Sequence, residues 1–316
     1  MEPRYRISVI IPSYNPGAFL REAVGSVLHQ VGDFRAQEII VVDDRSDDAV
    51  TLAIYREIEC IDTVRIIANS GPKGIAGARN AGLRAAAGDW IAFLDADDIL
   101  TPQSFEARLE ALDLFPGSGW VGGDYFYMDE GGTPQEESYF RSRPRPARIM
   151  RRAFEQNSPI KLERPVREFI STGVVHAGST IIKKQIIEEI GFFDETLIRS
   201  ADVHWFTRLA LVADLILTPA TVLMVRQHKR NMVMGRENTQ SVWRIRAFMK
   251  LLEDHSFAPY KSEMFATISE WHLSNSYYYR KNKIKLKALS SSIKSLYFNS
   301  RNPGAWRCLA ASILGR

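Results

Sequence analysis

Two aspartates, Asp95 and Asp97, come directly after the apolar run Trp90 to Leu94. Ionised carboxylates at the end of a buried strand cost free energy unless something positive meets them. Side chains two residues apart on an extended chain point the same way, so both carboxylates can face one cation. Hard divalent metals prefer such oxygen ligands and bind substrate phosphates at the same time. The pair therefore predicts an enzyme that acts on a phosphorylated substrate.

The elements that must position these carboxylates alternate between strand and helix over the first hundred residues. Continuous apolar strands separated by helices indicate a parallel sheet covered on both faces, with ligands at the carboxyl ends of its strands. Asn15 is expected to cap the first helix, with Pro16 at its first position. The predicted strands cover 7–11, 39–42, 64–67 and 90–94, and the predicted helices 19–31, 50–58 and 77–87.

Beyond residue 117 the pattern is less regular. The stretch Arg141 to Pro146 alternates arginine, serine and proline, and is predicted to be a surface loop. A polar stretch, 229–238, is predicted to link the preceding part of the chain to a C-terminal helical region, 239–316. Strands are expected at 120–125, 180–182 and 222–225, and helices at 184–190, 202–213, 242–252, 260–279, 286–297 and 305–314.

Composition excludes several classes of protein. With 316 residues, 45% of them apolar, the chain can bury a full core. Its two cysteines cannot form a disulfide framework. We find no signal-peptide pattern and no run approaching the ~18 apolar residues that span a bilayer, so we expect neither a secreted nor an integral membrane protein.

The net charge of +4 is unevenly distributed. Residues 280–316 contain nine Lys or Arg and no Asp or Glu, which leaves a net charge of −5 on residues 1–279. Basic residues beside aromatic and aliphatic ones suit an anionic membrane surface better than nucleic acid. The alternative is a helical appendage whose apolar face packs on the rest of the protein. Both can hold, and we expect a cytoplasmic protein that attaches peripherally to the inner face of the membrane.

The predicted strand ends carry four stretches: Ser8–Asn15; Ile39–Asp44; Gly77–Gly82 running to Asp95–Asp98; and Gly191–Glu195 with Ala201-Asp202. Together they resemble the family 2 glycosyltransferases, over roughly residues 7–228. The resemblance implies the α/β fold called GT-A, Rossmann-like with a mostly parallel sheet, followed here by the helical appendage. It places a nucleotide-sugar-binding half at about 1–115 and an acceptor-binding half at about 116–228.

For the nucleotide, the resemblance implies that Pro12 and Tyr14 pack on a pyrimidine base and that Asp43 accepts its ring N–H. Without the resemblance, Asp43-Asp44 would equally suit a helix-capping turn. The diphosphate is expected near a glycine-rich stretch before a helix, where Arg79 is the preferred ligand. Lys73, in the same stretch, is at least as consistent with a solvated loop residue.

For the metal, the resemblance implies that Asp97 ligates Mn²⁺ or Mg²⁺ and that Asp95 meets the ribose or a metal-bound water. His228 is a further candidate metal or phosphate ligand, and equally an exposed loop histidine. Such a cation would neutralise charge on the departing nucleoside diphosphate.

For catalysis, the resemblance implies an inverting displacement in which one carboxylate takes the proton of the acceptor hydroxyl. Asp202 matches that position, although Ala201 replaces the family's usual glutamate. Asp202 as a mere helix cap is the alternative. Asp194, Glu195 and His204 are expected to be structural, and the segment after His176 is expected to form the floor of the acceptor pocket.

Together these features predict a metal-dependent inverting glycosyltransferase. It would move a sugar from a nucleotide diphosphate, UDP by preference, to a glycan or lipid-linked acceptor in cell-surface polysaccharide synthesis. A nucleotidyltransferase on a related fold, which would release pyrophosphate, is one alternative. A sugar-binding protein without activity is another. A phosphatase is disfavoured because it leaves Tyr14 and Asp43 unexplained.

Overall fold

The computed structural model describes residues 5–32, 34, 36–228 and 239–314. Its centre is a sheet of nine strands: β1 Ile7–Ser13, β2 Ala36–Asp43, β3 Val64–Ala68, β4 Trp90–Phe93, β5 Ile99–Leu100, β6 Trp120–Met128, β7 Ile160–Leu162, β8 Thr180–Lys183 and β9 Leu215–Arg226. Their order in the sheet is β3-β2-β1-β4-β8-β6-β9-β5, with β7 paired to β9.

Helices cover both faces of this sheet, as the apolar strands require. Those before the C-terminal region are α1 Phe19–Leu28, α2 Ala49–Ile58, α3 Ile75–Ala85, α4 Ser104–Asp113, α5 Tyr139–Ser142, α6 Pro144–Gln156, α7 Val166–Ser171, α8 Lys184–Ile190 and α9 Ala201–Val212. Strands β1 to β4 pair in parallel, whereas β8 runs antiparallel to both β4 and β6.

Alternation along β1 divides the interior into two cores. Ile7, Val9 and Ile11 are fully buried on one face of the sheet, and Ile10 is fully buried on the other. Because side chains of a strand point alternately to opposite faces, a strand buried on both sides reads as one continuous apolar run. Because β1, β2 and β4 run in parallel, the sheet also places their carboxyl ends side by side.

Two local predictions are wrong. All of the stretch 141–146 except Arg143 is helical, because prolines are tolerated in the first turn of a helix, where the backbone N–H groups have no intrahelical partner. Pro144 is the first residue of α6. Asn15 does not cap α1, which begins four residues later; its Oδ1 instead accepts hydrogen bonds from the backbone N–H groups of Asp47 and Asp48.

Four helices form the C-terminal region: α10 Thr239–Leu251, α11 Lys261–Lys281, α12 Lys285–Phe298 and α13 Pro303–Leu314. Phe248, Leu251 and Ile268 belong to one of the two sheet-covering cores, so α10 and α11 pack on the preceding part of the chain. In α11 and α12, buried serines bond in pairs, Ser269 to Ser295 and Ser276 to Ser292. The predicted linker, 229–238, lies outside the described residues.

None of the helices in the described ranges is both long and apolar enough to span a membrane.

Candidate active site

The candidate site lies where β1, β2 and β4 end. Ser13 and Asp43 are register partners in the last pair of β1 and β2, and the Leu94 N–H donates to the Ile10 carbonyl. Parallel strands therefore bring the segments after Ser13, Asp43 and Leu94 to one edge of the sheet. Pro12 is half-buried in β1, opposite Val42.

Asp43 is held by the helix that follows it. Its Oδ1 accepts hydrogen bonds from the Ser46 N–H at 2.9 Å and from the Tyr55 hydroxyl at 3.0 Å. The Tyr55 hydroxyl is also hydrogen-bonded to Ser13 Oγ at 2.8 Å. Burial, with Asp43 nearby, raises the pKa of Tyr55 to about 12, so this hydroxyl keeps its proton. Within the described ranges Asp43 Oδ2 has no hydrogen bond, which leaves it free to accept one from a ligand.

The alternative role of Asp43-Asp44 as a helix cap is not what the structure shows. The cap of α2 is Asp48, whose side chain accepts from the Thr51 N–H. Asp44 is buried and instead holds the loop before α3, because its two oxygens accept from Asn69 Nδ2 at 2.6 Å and from the Gly74 N–H at 2.7 Å.

Tyr14 directly follows β1, and half of its surface is exposed. The Lys73 ammonium lies 3.7 Å from the centre of the Tyr14 ring. A cation over an aromatic face is attracted by the ring quadrupole. Lys73 is exposed, as a solvated loop residue would be, and the glycine-rich loop places it next to Tyr14.

Arg79 lies in α3 and is almost fully buried. Its Nη2 donates to Asp95 Oδ1 at 2.8 Å, and among the residues that the structure describes its buried Nε has no hydrogen-bond partner. Burial would raise the pKa of Asp95, but the charge of Arg79 and its hydrogen bond lower it below the ordinary value. Asp95 is therefore an anion fixed by Arg79.

Asp97 and His228 form a second pair, in which Asp97 Oδ2 lies 2.9 Å from His228 Nε2. The His228 ring stacks on Phe19 with a centroid separation of 5.3 Å, and its side chain is 9% exposed. It is therefore not the exposed loop histidine of the alternative interpretation. Burial and the charge of Asp95 raise the pKa of Asp97 despite the histidine.

A third acidic residue, Asp98, was not among the predicted site residues. Ligand atoms of Asp95, Asp98 and His176 lie within 4.8 Å of one another, whereas Asp97 is outside this cluster. Asp98 accepts from the Arg226 N–H at 3.0 Å. Burial and the two neighbouring aspartates raise the pKa of Asp98 well above its ordinary value.

This donor set fits a divalent cation. Carboxylate oxygens are the ligands that Mn²⁺ and Mg²⁺ prefer, and three carboxylates follow β4 within four residues, two of them close together in the cluster with His176. His176 fits less well as a ligand. Its Nδ1 accepts from the Gly178 N–H, so the proton of the neutral ring is on Nε2.

Asp202 is exposed in the first turn of α9. The residue that caps the helix is Ser200, in the left-handed region with φ of +59°, so Asp202 is not the cap. Asp202 and Asp95 both act on His176: their charges oppose the burial that lowers its pKa. Asp95 and the first turn of α9 therefore both lie near enough to His176 for their charges to act on it.

Asn80 joins α3 to the segment that leads into α9. Its Nδ2 donates to the Phe193 carbonyl at 3.0 Å, and its Oδ1 accepts from the Phe193 N–H at 2.9 Å. Asn80 also donates to Glu195, and Lys250 of α10 donates to Asp194. Asp194 and Glu195 thus make contacts between elements of the fold.

Comparison with known proteins identifies the class that this fold and site define. The sequence model of the family described as Glycosyl transferase family 2 matches residues 8–191. Because the match covers more than half of the chain, the chain belongs to glycosyltransferase family 2.

Curated relatives include glycosyltransferases from bacteria and an archaeon. The Escherichia coli UDP-Glc:alpha-D-GlcNAc-diphosphoundecaprenol beta-1,3-glucosyltransferase WfgD is 36% identical over 34% of this chain and 41% of its own. The Bacillus subtilis minor teichoic acid biosynthesis protein GgaB is 27% identical over 60% of this chain and 19% of its own. Haloferax volcanii glycosyltransferase AglE is 26% identical, with 64% and 60% covered. The chain thus spans less than two thirds of each.

The fold also matches a solved structure along nearly its whole length. Residues 1–349 of S. aureus TarS, in complex with UDP-GlcNAc, superpose with a TM-score of 0.67 at 16% identity, covering 98% of this chain and 92% of that one. The match confirms the predicted GT-A type fold with its C-terminal helices.

Proposed function

We propose that this glycosyltransferase transfers a sugar from a UDP-linked donor to a hydroxyl group of a glycan or lipid-linked acceptor, with inversion at the anomeric carbon. The observation that carries the proposal is the arrangement of carboxylates. Asp43, at the end of β2, has one oxygen without a hydrogen bond in the described ranges, whereas Asp202 is exposed in the first turn of α9, where its charge acts on His176.

The donor half of the site binds and orients the nucleotide. Asp43 Oδ2 accepts the pyrimidine ring N–H, while Oδ1 stays fixed by Ser46 and Tyr55. Tyr14 packs against the base, and Lys73 adds positive charge near the diphosphate. Arg79 acts on the donor indirectly, because its guanidinium holds Asp95 in place.

A bound Mn²⁺ or Mg²⁺ ion would stabilise negative charge on the diphosphate, and Asp95, Asp97 and His228 would hold it. The contact between Asp97 and His228 places a carboxylate oxygen and a ring nitrogen next to each other.

The acceptor half supplies the base. The acceptor oxygen forms its bond to the anomeric carbon as the bond from that carbon to the diphosphate breaks, and the hydroxyl proton passes to the Asp202 carboxylate. Burial lowers the pKa of His176, which stays neutral and can donate one hydrogen bond from Nε2. A fixed neutral donor near Asp95 and Asp202 suits a polar group of either substrate.

Thermal unfolding with nucleotide sugars, each with and without Mn²⁺, tests the donor half. A ligand at 100 times its Kd stabilises the folded state by about 2.7 kcal/mol. We expect UDP-sugars to raise the Tm in a Mn²⁺-dependent way. No shift with any nucleotide sugar would contradict the proposal.

Product analysis with a panel of lipid-linked and polymeric acceptors tests the transfer. Release of nucleoside diphosphate is expected, whereas pyrophosphate would indicate a nucleotidyltransferase. Asp202→Asn should lower transfer by at least about 10²-fold and leave the donor-induced Tm shift intact. Glu188→Gln, an exposed change on α8, is the control. If wild type binds donor yet never transfers, the protein is a sugar-binding protein.

The relatives' names support a role in cell-surface polysaccharide synthesis, which we propose with attachment to the inner face of the cytoplasmic membrane. Lys285 and Lys287 are exposed, and Leu286 and Tyr297 are 81% and 82% exposed. Since each basic residue near an anionic surface contributes about 1 kcal/mol, Lys285→Gln/Lys287→Gln should weaken sedimentation with phosphatidylglycerol vesicles at least about tenfold. Unchanged sedimentation would exclude this tail as the contact.

A further inference from the structure

The helix α6 carries an unusual concentration of positive charge. Residues 141–152 contain six arginines and no Asp or Glu. All six are exposed, and within the described ranges none lies at salt-bridge distance from a carboxylate. We call this set the arginine surface; its members are Arg141, Arg143, Arg145, Arg148, Arg151 and Arg152.

The underside of the helix explains why the arginines face outward. Pro146, Met150 and Ala153 are buried, at the spacing of one helical face. Arg145, Arg148 and Arg152 follow on another face, also three and four residues apart. A depression of about 440 Å³ opens there, lined by Arg141, Ala147, Arg148, Arg151, Phe154 and Glu155.

The arginine surface is connected to the candidate active site through aromatic rings. The His176 ring lies 5.6 Å from that of Tyr125, which stacks on Tyr139 at 4.6 Å and 12°. Tyr139 comes two residues before Arg141, and the charge of Arg143 acts on its hydroxyl. Only two ring contacts therefore separate His176 from the start of the arginine surface.

These rings can support a bound sugar. Tyr127 and Tyr139 are half-buried and lie edge to face at 6.4 Å, whereas Tyr125 is buried beneath them. The Tyr139 hydroxyl donates to the Gly173 carbonyl at 2.9 Å, which fixes the ring. Aromatic faces of this kind combine apolar contact area with a fixed geometry.

Resting on the proposed function, we propose that the arginine surface binds phosphate groups of the acceptor, while the tyrosines support the sugar to be extended. Guanidinium groups form paired, charge-assisted hydrogen bonds with phosphate oxygens, and several arginines that make no salt bridge within the described ranges match a diphosphate or a phosphodiester chain. The acceptor is thus a phosphate-bearing one, in which the phosphate lies beyond the tyrosines from Asp202.

The test compares two variants with equal loss of charge. Arg148→Gln/Arg151→Gln changes residues that line the depression, and no hydrogen bond of either side chain occurs within the described ranges. Arg56→Gln/Arg301→Gln removes two exposed charges elsewhere. Binding is measured in chelator, with UDP present, to fluorescent farnesyl diphosphate in detergent and to fluorescent poly(glycerol phosphate). Their uncharged counterparts, farnesol and a neutral glucan, are included.

We expect wild type to bind at least one phosphate-bearing probe and neither neutral one. Arg148→Gln/Arg151→Gln should raise the Kd at least about tenfold, and the control less than about twofold. The probe that binds identifies the source, a lipid diphosphate or a phosphodiester polymer. Absence of binding to both probes, or equal weakening in both variants, would overturn the proposal.

Two further measurements distinguish this proposal from a membrane contact and from a failure of the proposed function. Acceptor-free phosphatidylglycerol vesicles that bind the arginine surface as tightly as the probes would show a membrane contact instead, and overturn it. The Tm shift with UDP-sugar should be the same in wild type and both variants. If wild type shows no such shift, the proposed function fails even where the phosphate probes bind.

Discussion

Removal of the Arg79 guanidinium should destabilise the protein, because Asp95 would be left without its partner. In Arg79→Met the methionine fills similar space, but Asp95 Oδ1 loses a 2.8 Å charge-assisted bond. Breaking a buried ion pair from one side costs about 3–5 kcal/mol. Because Asp95 is 25% exposed, we take the lower end, about 3 kcal/mol. At about 2–4 °C per kcal/mol, the Tm should fall by about 6–12 °C.

The effect has a defined dependence on pH. In wild type the pKa of Asp95 is lowered, so its contribution to stability is present above the ordinary carboxyl pKa and is lost as pH falls below it. In Arg79→Met, burial and the neighbouring aspartates should raise that pKa. The loss of unfolding free energy should then be largest at pH 7 and shrink toward pH 5. Urea unfolding at both pH values measures this difference.

Two controls accompany the measurement. Arg84→Met removes an exposed arginine from the same helix and should change stability by less than about 0.5 kcal/mol. Arg79→Met/Asp95→Asn should be more stable than Arg79→Met alone, because no charge is left without a partner. An Arg79→Met protein within about 1 kcal/mol of wild type, or strictly additive effects in the double variant, would refute the reasoning.

Three other variants test separate parts of the site and fold. Asp97→Asn should abolish the Mn²⁺-dependent part of the Tm shift with UDP-sugar, and persistence of that part in chelated, Mn²⁺-repleted samples would contradict its role as ligand. Tyr55→Phe removes a bond to Asp43, so donor affinity measured by calorimetry should fall by about 1 kcal/mol, while an unchanged affinity would count against Asp43 as the base acceptor. Lys250→Met should cost about 1 kcal/mol at pH 7, since Lys250 is one-third exposed and screened. Burial opposes it, but hydrogen bonds from Lys250 and Thr196 lower the pKa of Asp194 to about 2. The loss of stability in Lys250→Met should therefore largely disappear in urea titrations as the pH falls from 5 to 2, because Asp194 becomes protonated. A loss that does not depend on pH would exclude the ion pair as the cause.

The strand ends that form the candidate site could be predicted from sequence, because apolar runs and the points where they stop are local features. Asp43 and Asp95 follow such runs directly, so their positions were fixed as soon as the strands were recognised. The contacts of Arg226 were not accessible in this way. It reaches Glu22, Asp97 and Asp98 from the far end of β9, across more than a hundred residues of sequence.

Other features were missed because one residue type serves two purposes. Tyr55 lies at an apolar position of α2, where a tyrosine suggests core packing and gives no sign of its bond to Asp43. The prolines of 144–146 suggested a loop, although prolines also begin helices, and the buried face of α6 lies mostly beyond them. The role of His176 depends on a bond to Gly178, which only the folded chain reveals.

The paired bonds of Asn80 have a consequence for how such an enzyme can diversify. They tie α3, which carries Arg79, to the backbone of Phe193 in the segment before α9 and Asp202. Under the proposed function, this single amide keeps the donor side and the acceptor base in a fixed relation. Loops elsewhere around the site can then be exchanged without moving these two parts relative to each other.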